Sequence, residues 1–439
     1  MDNDEIERIL EKNIPKSMLQ RGRITIDSLL GPVRDVLNRR QFPDSAFTEH
    51  QIEMMLQFLS SLDTDKDPEA ARVGEREGRI ASPFIGRLSA GFNHGIGRSG
   101  QLVAPQPKAP GASLMQQVAN NVALDAVRKL GLSNMKSGIV APLSTGMSIA
   151  LVLSALRREN GIKQVLFPRI DHTSPIRAIS FAGLENVMIP NVIEGDAVQA
   201  DIDELEKRIK MGGPIAVLAT TTFFPPRESD PVKKIAKVCA DNDLPLVINN
   251  AYGIQSERIM SEIRSAVDAG RVDAVVQSSD KNFLAPVGAS IIVSPTQDFI
   301  KQVTDTYAGR ATAAPVVQTL AALLAIGLEN YKDLQRQQIE NLQLLQKEMT
   351  EIADKLKQRI LSVWNPVACA ITMDGLDVKD IGGRLYNARV TGPRAVGKGE
   401  FGSSSDNYPY SYIVMNAAIG ASSSDIVAAT TKLYKEASK

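Results

Sequence analysis

The segment Ser278-Ser279-Asp280-Lys281-Asn282-Phe283 lies between two apolar runs, Val272-Asp273-Ala274-Val275-Val276 and Gly288-Ala289-Ser290-Ile291-Ile292-Val293. A lysine at the mouth of a turn between buried strands is poorly placed for a structural role. Its amine can be desolvated, lose its proton and attack an aldehyde. Small polar residues before it leave room for a flat group. This pattern predicts Lys281 as the residue that forms a Schiff base with pyridoxal 5'-phosphate; an ordinary surface lysine is the alternative.

Three further segments fall at the ends of expected strands, where open α/β sheets bind ligands. Ser144-Thr145-Gly146-Met147-Ser148 joins a strand to a helix, so its free amides can face the cofactor phosphate; the same letters also spell an ordinary helix N-cap. In Asp171-His172-Thr173-Ser174, His172 either stacks on a flat heterocycle or is a satisfied structural histidine. Asn249-Asn250-Ala251-Tyr252-Gly253 is either a turn or the place where Asn249 hydrogen-bonds a pyridine nitrogen. An amide in place of a carboxylate there makes the ring a weaker electron sink, which suffices when the leaving group is good.

Gly95-Ile96-Gly97-Arg98-Ser99-Gly100 matches a dinucleotide fingerprint by letters. No clear strand precedes it, and Pro105, Pro107 and Pro110 follow where a helix should start, so that reading fails. The segment makes better sense as an anion cradle. Arg98 offers a forked donor, Ser99 a hydroxyl, Gln106 an amide and Lys108 a point charge. Glu75-Arg76-Glu77-Gly78-Arg79 and Gly309-Arg310-Ala311-Thr312 add arginines; a solvated charged face is the alternative.

The elements that must position these residues follow from the 439-residue sequence. Residues 1–80 are charged and helical in pattern: Ile6, Ile9 and Leu10 share a face, as do Met54, Met55, Phe58 and Leu59. Residues 81–112 are rich in Gly and Pro, too long for an idle connection. A helix is expected from Ser113 to Gly131. Strands then fall at 139–143, 164–167, 187–189, 215–219, 245–248, 274–276 and 290–293, with helices such as 147–157, 202–211 and 231–241 between them. This is an α/β architecture, a mainly parallel sheet covered on both faces. We divide the chain into a helical N-terminal extension (1–80), a large cofactor-binding α/β domain (81–315), connecting helices (316–360) and a small C-terminal α+β domain (361–439).

Composition narrows the function. Fifty basic residues balance fifty acidic ones, so nucleic-acid contact must come from local patches such as Lys16, Arg21, Arg23, Arg34, Arg39 and Arg40. Those charges also fit an ordinary helix surface. The two cysteines, Cys239 and Cys369, lack metal-ligand spacing and fit buried positions in a reducing compartment. The acidic N-terminus is not a signal sequence, and no apolar run approaches the ~20 residues of a membrane span. A cytoplasmic protein without a metal site is expected.

Together the segments Gly74–Arg79, His94–Gly100, Gln106-Pro107-Lys108, Thr145–Ser148, Pro168–Asp171, Asn249–Gly253 with Gln255-Ser256, Asp280–Phe283 with Pro286-Val287-Gly288, and Gly309-Arg310-Ala311 resemble the O-phosphoseryl-tRNA(Sec) selenium transferase family of archaea and eukaryotes. The resemblance covers about residues 70–315. It implies a fold type I pyridoxal-phosphate architecture and a homotetramer. It further implies conversion of O-phosphoseryl-tRNA(Sec) to selenocysteinyl-tRNA(Sec) by β-elimination of phosphate and addition of selenium from selenophosphate. By position it assigns Lys281 to the cofactor aldehyde and Arg76 to a cofactor contact. It assigns Arg98, Ser99, Gln106 and Arg310 to the substrate phosphate. Glu75 becomes a filter against free amino acids, and Arg394 and Arg271 become tRNA contacts. The chain departs from the eukaryotic pattern at His172, Thr173 and Asp268 and lacks the longer eukaryotic tail, which fits an archaeal member. Competing readings are another fold type I enzyme acting on phosphoseryl-tRNA or sulfur substrates, and a tRNA-binding relative without catalysis. Cysteines placed in a helix and a strand argue against the sulfur chemistry.

Overall fold

The computed structural model describes Ile9 and residues 11–439. The expected face of Ile6 and Leu10 lies outside the described residues. Two helices, Lys16–Arg39 and Glu49–Ser61, form the N-terminal part. The second starts at a reciprocal cap in which the Thr48 hydroxyl accepts from the Gln51 amide and the Gln51 side chain accepts from the Thr48 amide. Met55 and Leu59 of this helix are fully buried in the main core.

The helix Pro110–Lys129 begins three residues before the expected start at Ser113. Proline is tolerated in a first turn, where its missing N–H has no intrahelical partner. Beyond it lies a seven-stranded sheet made of β1 (Ser137–Ala141), β2 (Gln164–Pro168), β3 (Glu185–Ile189), β6 (Ile215–Thr220), β7 (Leu246–Asn249), β8 (Ala274–Ser278) and β9 (Ser290–Ser294), in the order β1-β9-β8-β7-β6-β2-β3. Only β9 runs against its neighbours; the remaining pairs are parallel. Every residue of β6, β8 and β9 is buried. Successive side chains point to opposite faces, so both faces of the sheet's centre are covered. A short hairpin of β4 (Asn191–Glu194) and β5 (Ala197–Ala200) was not expected from the pattern.

The long helical stretch Ala314–Leu356 breaks at Gly327 (φ 66°, ψ 168°). A side chain there would come within 2.7 Å of the Ala46 amide nitrogen. Positive φ and close backbone approach both require glycine at this position. The C-terminal half of the stretch, through Leu345, Met349 and Ile352, packs with a three-stranded sheet of order β10-β12-β11 and with the helices Val378–Asn387 and Ser423–Ala437. In this sheet β10 is Ala368–Thr372, β11 is Arg394–Val396 and β12 is Tyr412–Asn416. Cys239 and Cys369 are buried and unpaired, and burial pushes both thiols up to about 12. Among the described residues no helix is long and apolar enough to cross a membrane, and no group of His, Cys, Asp and Glu could hold a metal ion.

Candidate active site

β1, β2, β6, β7 and β8 point the same way, so the segments that follow them meet at one edge of the sheet. They enclose a pocket of about 220 Å³ lined by Ser144, Thr145, Gly146, His172, Asn249 and Lys281, among others. The four constellations found in the sequence therefore converge on one space. Four larger clefts, of about 320 to 950 Å³, contain none of them.

Lys281 sits on a short helical turn, Ser279–Phe283, that leaves β8 and stops at Leu284 in a left-handed conformation (φ 54°). Asn282 locks this turn. Its Nδ2 donates to the carbonyls of Ala251 and Ser278 at 2.9 and 2.7 Å, and its Oδ1 accepts from the Ile254 amide at 3.1 Å. Gln255 donates to the Lys281 carbonyl at 2.7 Å. The backbone is thus fixed while the amine remains reachable through the pocket's open mouth. Partial desolvation by surrounding protein holds that amine below its ordinary value, with Asp280 acting in opposition.

The helix Thr145–Asn160 opens onto the pocket, and its N-cap Ser144 makes no side-chain bond to the helix amides. Those amides and the helix dipole are suited to an anion. The Thr145 and Ser278 hydroxyls contact each other beside them. A side chain at Gly146 would approach Ser174 Cβ at 3.1 Å, so a residue larger than glycine would crowd this end. His172 caps the next helix: its Nδ1 accepts from the Ser174 amide at 3.2 Å, which leaves the proton of the neutral ring on Nε2. Crowding by protein, and then the charges of Lys281 and Arg394, push His172 below its ordinary value, so the ring is neutral near pH 7. Asn249 Oδ1 and Thr222 Oγ1 are buried pocket atoms with no protein partner. Unpartnered buried acceptors of this kind call for a ligand group.

The proposed anion residues form a second region. Glu75, Arg76, Arg98 and Ser99 are exposed, and Gln106 and Arg310 are half-buried. None of them lines the Lys281 pocket. Glycines shape the region: a side chain at Gly95 would meet the Ala311 carbonyl oxygen at 2.3 Å, and one at Gly97 the Leu102 carbonyl oxygen at 2.2 Å. Ile96 donates to that Ala311 carbonyl at 2.9 Å, which ties the glycine-rich loop to the Arg310 segment. Arg310 donates to the His94 carbonyl, and burial followed by the charge of Arg76 lowers it from its ordinary value. Glu77 acts in opposition, and like charges only partly offset in this way are expected where an anion binds. Lys108, by contrast, is paired with Glu77.

The two arginines assigned to tRNA differ. Arg394 lies over the rings of Phe224 and Phe223, at 4.7 and 5.3 Å from their centroids, and both rings line the pocket. Arg271 is held by Asp243 at 2.6 Å and Asp273 at 3.0 Å, so its charge is already compensated. Thr222, Phe223 and Phe224 also wall the pocket and were not expected from the sequence. Their signal was the polar-aromatic run Thr220–Phe224 at the end of β6, at the same sheet edge as the other four segments.

Comparison with known proteins agrees with this geometry. The profile of the family described as O-phosphoseryl-tRNA(Sec) selenium transferase, SepSecS, matches residues 62–438. An O-phosphoseryl-tRNA(Sec) selenium transferase from Methanococcus maripaludis is 43% identical over 432 residues, 97% of this chain and 98% of the relative. The crystal structure of an archaeal O-phosphoseryl-tRNA(Sec) selenium transferase superposes with a TM-score of 0.93 at 43% identity, covering 96% of this chain and 98% of that one. A serine palmitoyltransferase from Sphingomonas wittichii shares the fold at a TM-score of 0.57 and 14% identity, over 81% and 84% of the two chains.

Proposed function

This chain belongs to the O-phosphoseryl-tRNA(Sec) selenium transferase family, and from that premise we propose how its own residues carry out the reaction. It is a fold type I transferase that converts O-phosphoseryl-tRNA(Sec) to selenocysteinyl-tRNA(Sec). The observation that carries the residue assignment is the convergence of Lys281, the Ser144–Gly146 helix start, His172 and the unpartnered Asn249 in one pocket.

These residues fit pyridoxal 5'-phosphate. Ser144, Thr145 and Gly146 would hold its phosphate, His172 its ring face, Asn249 its ring nitrogen and Lys281 its aldehyde carbon, with Arg76 as a further contact. The bound cofactor supplies an electron sink for charge at the substrate α-carbon. Lys281, already partly desolvated, then takes the α-proton and later returns it. Arg98, Ser99, Gln106 and Arg310 hold the phosphate of the phosphoseryl group and stabilise its charge as it leaves Cβ. Glu75 repels amino acids that still carry a free carboxylate, whereas the ester of an aminoacyl-tRNA is uncharged. Selenophosphate is the selenium donor.

A homotetramer accounts for the separation of the two regions, since a cradle that does not line its own chain's pocket can meet the pocket of another copy. Exposed Ile80, Phe84, Ile85 and Leu88 flank the cradle segment and favour a covered face there. Arg394, beside the pocket, and the basic N-terminal helix are the tRNA contacts we favour; Arg271, already compensated, contributes less. The test is turnover of phosphoseryl-tRNA with selenophosphate, using thiophosphate as the control donor. Selenocysteinyl-tRNA is the expected product; its absence from cofactor-loaded protein would remove the assignment.

A further inference from the structure

Asp171 has no role in the account above, yet it is one of the most heavily engaged polar side chains next to the pocket. It is 3% exposed and immediately precedes His172. Its Oδ2 accepts from two backbone amides of the small C-terminal region, Gly402 at 2.9 Å and Ser404 at 2.8 Å. Its own amide donates to the Ser404 hydroxyl at 3.0 Å. Its Oδ1 accepts from Arg169 Nε at 2.8 Å, and that same guanidinium reaches Asp406 at 2.9 Å. Asn191 adds a bridge, donating to the carbonyls of Arg169 and Ser404. The fully buried Arg227 fixes the Arg169 carbonyl from below at 3.1 Å.

The loop gripped by this carboxylate is held in an uncommon shape. Ser404 has φ 62° and Gly402 φ 127°. A non-glycine residue at positive φ persists only where its surroundings over-determine it. The same loop backs Arg394: a side chain built at Gly402 would lie 3.6 Å from an Arg394 guanidinium nitrogen. Arg394 in turn rests on Phe223 and Phe224 of the pocket wall.

We propose that Asp171 is a positioning residue that docks the Gly402–Asp406 loop of the C-terminal region onto the end of β2, and so fixes Arg394 at the mouth of the Lys281 pocket for substrate. A carboxylate is required because one oxygen accepts two amides while the other faces a guanidinium. An asparagine keeps the shape but offers a single carbonyl and no charge. The inference rests on the reading that Arg394 engages the aminoacyl-tRNA substrate.

The test is a double-mutant cycle on the full-length, cofactor-loaded protein, with kcat/KM for phosphoseryl-tRNA and the visible absorbance of bound cofactor as readouts. Asp171→Asn is expected to keep its cofactor absorbance and lose about tenfold or more in kcat/KM. In an Arg394→Ala background the same change is expected to cost less than about twofold, because Arg394 is the group through which it acts. A purely structural role would instead multiply in full with the Arg394 loss, and that result overturns the proposal. A silent D171N beside a damaging R394A overturns it while leaving the Arg394 reading intact; a silent R394A removes both. Should D171N fail to load cofactor, Ser404→Ala, which removes only the hydroxyl accepting from the Asp171 amide, carries the same cycle. Its expected loss is about threefold, again absorbed by R394A, and full multiplication with R394A again contradicts the inference.

Discussion

The Lys281 pocket and the arginine cradle are built by different means. The pocket is assembled from the ends of five strands that share one direction, so buried β-structure places its residues. The cradle is assembled from loops, with glycines at Gly95 and Gly97 allowing backbones to approach closely and Arg98 and Ser99 left exposed. A site on strand ends has its walls placed by the sheet of one chain. A site on exposed loops is shaped in one chain and finished by what docks on it. The contrast suits the division of labour proposed above, in which the rigid region moves protons and the loop region recognises a phosphate.

Four experiments strain this contrast. The largest effect is expected from Lys281→Ala, which removes the only amine aimed into the pocket among the described residues. Turnover of phosphoseryl-tRNA should fall by at least roughly three orders of magnitude, and residual activity near wild type would sever the pocket from the chemistry. Arg98→Ala alters an exposed side chain, so the fold should survive. Its kcat/KM should drop about a hundredfold, the usual cost of one charge-stabilising donor, with cofactor absorbance unchanged. Co-expressing the two inactive variants in equal amounts, so that subunits assemble at random, sharpens the comparison further. If a cradle serves another copy's pocket, activity should return to roughly a quarter of wild type; no recovery would mean that each chain uses its own cradle.

The smallest effect concerns stability under the cradle. Asp63 is buried and accepts from the Ala112 amide at 3.1 Å, and burial raises its carboxyl to about 6. Its folded-state pKa lies above the ordinary carboxylate value, so the folded protein holds the proton more tightly. The stability this provides is full below about pH 4 and is lost as pH rises through about 6. Asp63→Asn keeps an acceptor for Ala112 but cannot ionise. The melting temperature of wild type relative to this variant should therefore fall between about pH 4 and 6, and a flat difference across that window would contradict the buried-carboxyl account.

Much of the pocket was legible in the sequence because strand ends announce themselves. Apolar runs such as Val272–Val276 stop abruptly at polar residues, and those residues must then stand at the sheet edge. Lys281, Asn249, His172 and Ser144 all followed from that logic and all line one pocket. The Thr222–Phe224 wall escaped because aromatic residues after a strand read as more core. Asp171 escaped for another reason: its partners, Gly402 and Ser404, lie more than two hundred positions away and carry no recognisable spacing. The break at Gly327 was invisible within an uninterrupted helical pattern, because the demand for glycine comes from Ser45 and Ala46 packed against it. Local pattern reports which strands exist and where they end, whereas long-range hydrogen bonds between loops leave no period to read.

The account stands on covalent capture of the cofactor by one amine. Borohydride reduction of the cofactor-loaded protein, followed by peptide mapping by mass, tests this directly. The account predicts a single pyridoxyl label on the peptide containing Lys281; a label on any other lysine, or none on fully loaded protein, would contradict it.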